Sequence, residues 1–100
     1  GVDISTEAAS SVLAVFAGNV SSVFPIPGAG ETVILSHGAF RTVYSNLEGV
    51  RLKKGERIEA REKIGTVRPN NSQNVLHFEV WKVAGTSQTP QNPSAWLVKL

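Results

Sequence analysis

The sequence contains no cysteine and no methionine. Without cysteine there can be no disulfide staple, no cysteine-bound metal and no thiol chemistry. Exported and cytosolic proteins are equally compatible with that composition. With no methionine the chain has no start residue of its own. We read it as a single domain, residues 1–100, excised from a longer chain with sequence upstream of Gly1. Long apolar runs are missing too: none approaches the roughly 20 residues of a membrane span. These residues are not expected to include a signal peptide. Charge is sparse, with 10 Lys and Arg against 8 Asp and Glu and a formal net charge of +2. No basic run is interleaved with aromatics, which argues against nucleic acid. No stretch holds a 3.6-residue period, so helix is not expected.

What the chain has is many short β-forming runs between Gly, Pro and Asn. The clearest is Asn74–Val83, in which Leu76, Phe78 and Val80 alternate with Val75, His77, Glu79 and Trp81. Alternation places the two sets on opposite faces of a strand, one oily and one carrying an imidazole beside a carboxylate. Ser11–Ala17 and Val20–Phe24 read as a hairpin around Gly18-Asn19. Pro25–Glu31 reads as a loop. Thr32–His37 and Phe40–Leu47 form a second hairpin through Gly38-Ala39, with Thr42, Tyr44 and Asn46 on one face and Val43 and Leu47 on the other. Val50–Leu52 and Ile64–Val67 are brief strands on either side of a turn at Lys53–Glu56 and a charged surface at Arg57–Glu62. Pro69–Asn74 is expected to be a mobile polar loop. Ala84–Ser94 is expected to return irregularly, and Trp96 and Leu97 to anchor the end. The sum is an all-β antiparallel sheet or sandwich with little or no helix.

Most candidate chemistry is weak. PIPGAGE has the glycines of a phosphate loop but not its Lys-Ser/Thr, and no helix follows it. Lys53 and Lys54 lack the small apolar frame of a cofactor-bearing lysine turn. With two histidines and many serines no Ser/His/Asp set can be chosen. Glu56, Glu59 and Glu62 alternate with basic residues, as on a solvated surface. Asp3, His37 and His77 are the one zinc constellation available, and catalytic zinc usually takes three protein ligands and a water.

The order of motifs carries more information. GVDIST resembles the end of the H-x-G-x-D signature of lysostaphin/LytM-type metallopeptidases. TVILSHGAFRTVYSNL is similar to that family's apolar strand, His-Gly turn and Tyr-x-His-Leu strand. VRLKKGERIEAREKIGTV, VLHFEVWK and QNPSAWL resemble its Lys-x-Gly turn, its His-x-His-Phe-Glu strand and its closing Asn-Pro segment. The resemblance spans nearly the whole chain. It implies a LytM-type sandwich (the duplicated hybrid motif) and settles Ser11–Ala17 as strand.

The resemblance also implies a degenerate site. Asp3 and His77 match two zinc ligands, and the first ligand would lie upstream of Gly1. The family's two non-ligand histidines fall at Asn46 and Val75. His37 matches a turn histidine without a catalytic role. Valine can neither accept a proton nor donate a hydrogen bond, and asparagine cannot cycle a proton near neutral pH. The implied function is a non-catalytic, murein-hydrolase-activator type domain. It would bind and activate peptidoglycan (N-acetylmuramoyl-L-alanine) amidases in cell-wall remodelling and cell division. The expected setting is the bacterial envelope, periplasmic or exported, with a coiled coil upstream and no zinc held. Peptidoglycan itself is a second expected partner. A groove lined by Tyr44, Asn46, Val75, His77 and Trp81 would take the partner. The alternatives are an active zinc endopeptidase cutting peptidoglycan cross-links and a purely structural wall-binding domain.

Overall fold

The computed structural model describes residues 1–70 and 73–93, with Asn70 described by its backbone alone. Ten strands follow in order: β1 (Val2–Ser5), β2 (Ser11–Leu13), β3 (Gly18–Ile26), β4 (Gly30–His37), β5 (Phe40–Glu48), β6 (Arg57–Ile58), β7 (Lys63–Val67), β8 (Pro69–Asn70), β9 (Gln73–Ala84) and β10 (Ser87–Gln91). All pairings are antiparallel, and the main path runs β1-β9-β5-β4-β3-β6. β10 and β8 flank β9, and β2 pairs with β7, which also joins the end of β5. The all-β antiparallel expectation is met.

β9 is the strand whose alternation was plainest in the sequence. Phe78 and Val80 are buried, and they meet Val33, Leu35 and Tyr44 of the neighbouring strands in the core. Tyr44 faces Phe78 in register, and their rings tilt together at 5.4 Å. Val12, Ile64 and Val67 of β2 and β7 close over this face, and all three are buried. Burying such side chains contributes on the order of 1.5–3 kcal/mol each.

Several expectations are corrected. There is no hairpin at Gly18-Asn19, because β2 pairs with β7 (Val12 opposite Gly65) and not with β3. Gly18 serves close approach rather than a turn: a Cβ there would lie 2.2 Å from the Ser36 carbonyl oxygen. Pro25–Glu31 is mostly strand, with Pro25 opposite Glu31 and Ile26 opposite Gly30. Only Pro27–Ala29 turns, with Gly28 at φ 77°. Val50–Leu52 forms no strand; the Val50 N–H donates to Glu31 Oε1 at 3.2 Å instead. Pro69 and Asn70 pair with Asn74 and Gln73 where a mobile loop was expected, and Ser87–Gln91 pairs with β9 in place of an irregular return. Trp96 and Leu97 lie outside the described residues. Glu56 and Glu62 are not merely solvated. Each accepts the backbone N–H three residues earlier, of Lys53 at 2.9 Å and Glu59 at 3.0 Å, and so closes a turn.

A buried polar chain fixes residues 14–18 onto the sheet. The Val15 N–H donates to the Tyr44 hydroxyl at 3.1 Å, and the Thr42 hydroxyl lies against Tyr44. Thr42 Oγ1 is 2.7 Å from His37 Nε2, and His37 Nδ1 is 2.7 Å from the Ala17 carbonyl. A carbonyl only accepts, so Nδ1 carries the proton and a neutral Nε2 accepts from Thr42. His37 is structural, as expected. Burial holds its pKa below the ordinary value, assisted by Arg41 and opposed by the bond to Ala17.

Two outcomes follow from that chain. Tyr44→Phe leaves the Val15 N–H buried without its acceptor and lowers stability by about 1–3 kcal/mol in urea unfolding. Because the fold holds His37 neutral, the unfolded chain takes up the proton first. That contribution is whole above the unfolded pKa of about 6.5 and is lost as pH falls through the lower folded one. In the same titration His37→Gln flattens the slope across this window.

Candidate functional site

Pairing of β1 with β9 sets Asp3 opposite His77 and Ser5 opposite Val75. Pairing of β5 with β9 sets Ser45 opposite His77, Val43 opposite Glu79 and Arg41 opposite Trp81. These residues share the sheet face away from the core. On it His77 is held from both sides: Nδ1 is 2.6 Å from Asp3 Oδ1 and Nε2 is 2.6 Å from Glu79 Oε2. The Trp81 indole N–H donates to the other Glu79 oxygen at 2.8 Å. Carboxylates only accept here, so both ring nitrogens donate when the imidazole is charged.

The electrostatics agree. The bond to Asp3, and then Glu79, raise the His77 pKa above its ordinary value against some desolvation. Partial burial pushes Glu79 upward, but the Trp81 N–H and His77 outweigh it and hold the carboxyl below its usual range. For an imidazole raised in this way, the stabilisation is complete below its unfolded pKa and is lost as pH climbs through the folded one. Gly1 lies flat on this cluster, where a Cβ would come within 2.7 Å of Glu79 Cγ and His77 Cε1.

Further along the face, Trp81, Val43, Ile34, Arg41, Ser21 and Gln88 line a hollow of about 200 Å³. Of the expected groove residues, Trp81 lines this hollow, and Asn46, Val75 and His77 do not. Nor does Tyr44: it is 1% exposed and lies in the core beneath. The reason is a register shift in β5. Thr42 and Tyr44 face inward, and an extra residue before Leu47 turns Leu47 inward as well. That also corrects the placing of Leu47 opposite Tyr44.

The shift is at Asn46, whose φ is 67°. Its side-chain N–H group donates to the Val75 carbonyl at 2.5 Å and to the Arg68 carbonyl at 3.1 Å. Its own carbonyl accepts the Arg68 N–H at 2.9 Å. The carboxamide's donors are thus committed to backbone. Val75, half-buried on β9, offers no polar atom from its side chain.

Asp3 Oδ1 and His77 Nδ1 converge, but Glu79 engages Nε2 on the far side of the ring and cannot share an ion with Nδ1. Among the described residues no group of three or more His, Cys, Asp or Glu could hold a metal. The described residues thus bring two donors together, where catalytic zinc usually takes three protein ligands.

The sequence profile described as peptidase family M23 matches residues 1–93. The chain belongs to this family. Solved structures agree on the fold. The antimicrobial peptidase lysostaphin from Staphylococcus simulans superposes with a TM-score of 0.84 at 24% identity, over 99% of this chain and 43% of that one. A chain of the SpoIIIAH–SpoIIQ complex gives 0.74 at 26%, over 95% and 63%. A zinc-containing peptidase from Vibrio cholerae gives 0.73 at 26%, over 90% and 28%. The chain therefore spans less than half the length of the lysostaphin it matches. Comparison with curated protein sequences returns no match.

The sequence reading put Val75, His77, Glu79 and Trp81 on one face, with the imidazole beside the carboxylate, but gave Glu79 no part in the groove. Arg41, Ile34, Ser21 and Gln88 have no signal in the sequence, because only the strand order brings them together.

If Asn46 holds the scaffold, Asn46→Ala loses both side-chain bonds and forces alanine into the left-handed region, lowering stability by about 2–3 kcal/mol. Asn46→Gly relieves the backbone strain and loses about 1–2 kcal/mol. Urea unfolding of the two variants tests that order.

Proposed function

We propose that this M23 domain is non-catalytic, and that it binds and activates peptidoglycan amidases in the bacterial envelope during cell-wall remodelling and cell separation. The observation that carries the reading is the pair Val75 and Asn46. Zinc-dependent amide hydrolysis needs a group to take the proton of the metal-bound water and a donor for the developing oxyanion. Valine supplies neither. The Asn46 donors already serve the Val75 and Arg68 carbonyls, so using them would break the junction they hold. Removing a single oxyanion donor costs on the order of 100-fold or more in turnover.

What is left is a shaped face: Asp3, His77 and Glu79 at one end and a part-apolar hollow beside Trp81 at the other. Such a face suits a protein partner, with the indole as anchor and the charges as orienting groups. Recovery of the same fold from the SpoIIIAH–SpoIIQ complex supports partnering as a use of this scaffold.

A second reading, a zinc endopeptidase of peptidoglycan, draws on one observation. Asp3 and His77 still converge at 2.6 Å, in a fold shared with lysostaphin.

The test uses the full-length protein, a purified amidase and labelled peptidoglycan. Val75→Lys lowers amidase activation by about tenfold, the size of one lost contact near 1.4 kcal/mol, with unchanged thermal unfolding. One bound zinc per chain, together with muropeptide cleavage abolished by Asp3→Ala, would establish the endopeptidase instead.

A further inference from the structure

β3 has a partner along only part of its outer side. β6 pairs with Gly18 and Asn19. The Val20 N–H donates to the Glu56 carbonyl and the Val20 carbonyl accepts the Gly55 N–H, both at 2.8 Å. From Ser22 to Ile26 no strand continues on that side among the described residues. Alternate backbone groups of an antiparallel strand face each side, so this stretch presents unpaired polar groups. They open into a shallow depression of about 520 Å³ lined by Ser22, Val23, Phe24, Leu52, Lys53 and Lys54. Phe24 and Ile26 are each 38% exposed, unusual for large apolar side chains here. Neither Lys53 nor Lys54 enters the ion pairs of the described residues. The depression shares no residue with the hollow beside Trp81.

We propose that this edge takes an extended segment of a partner protein as an added strand, continuing the line of β6, and that the segment alternates acidic and apolar side chains. Three features select that occupant. Free backbone groups call for a polypeptide strand, since a charged polymer has no ladder to offer. Phe24 and Leu52 provide apolar contacts for alternate side chains. Lys53 and Lys54 call for carboxylates. The same lysines disfavour a second copy, because pairing β3 with its twin brings like charges together. This surface is independent of the groove assigned to the amidase.

The probe is a short synthetic peptide alternating Glu and Val, compared with its Lys-Val counterpart and with inorganic polyphosphate. Binding to the full-length protein is followed by backbone amide exchange. The Glu-Val peptide slows exchange within Ser22–Phe24 by about tenfold and binds about tenfold more tightly than the Lys-Val peptide, while K53E/K54E reverses that preference. Three results would overturn the proposal. One is the absence of protection in this stretch. Another is equal binding by polyphosphate. The third is the same protection without peptide, accompanied by dimerisation in sedimentation, which would assign the edge to a second copy.

Discussion

At Asn46 one carboxamide holds together two strands that leave β5 in different directions. As far as Ser45, β5 pairs with β9; from Leu47 it pairs with β7. The residue between them adopts a left-handed backbone conformation, costing roughly 1–2 kcal/mol for a side chain other than glycine. Its bonds to the Val75 and Arg68 carbonyls offset that strain and bridge the gap where the strand changes partner. The core depends on this junction. It lets Leu47 face inward beside Tyr44, and it lets β7 carry Ile64 and Val67 over the sheet. Asparagine suits the position for two physical reasons, tolerance of positive φ and a paired donor, and neither of them is chemical reactivity.

The opposite face is organised around charge. The two carboxylates stabilise the charged form of the imidazole between them, and the Asp3–His77 bond joins β1 to β9. The Trp81 indole fixes Glu79 and leaves one oxygen for the ring. An M23 scaffold can thus keep its groove shape through hydrogen bonds among the chain's own side chains. Position 75 adds no polar side-chain atom to that face.

The architecture was legible where one physical rule acted alone. The two-residue period of β9 gave its inner and outer faces, and the Gly38-Ala39 turn gave the β4–β5 hairpin. The reading failed where a tertiary pairing overrode a local signal. Gly18-Asn19 has hairpin chemistry, yet Gly18 is needed so that β3 can approach Ser36. Strict alternation put Leu47 opposite Tyr44, whereas the extra residue at Asn46 rotates it inward. Nothing in the pattern distinguishes an alternating strand with a bulge from one without. The same blind spot put Tyr44 in the groove. Its hydroxyl serves Val15, far from it in sequence, a need that only the folded chain shows. Glu56 and Glu62 passed as surface charge because the amides they accept become neighbours only once the turns close.

The pairing of β1 with β9 has an implication for assembly. Asp3 meets His77 across 74 positions of sequence, and Val2 lies opposite Phe78. During synthesis the first strand therefore emerges long before its mate. Distant pairings of this kind slow folding, since a large loop must close before the contact is gained. The groove end containing His77 is thus among the late features to form.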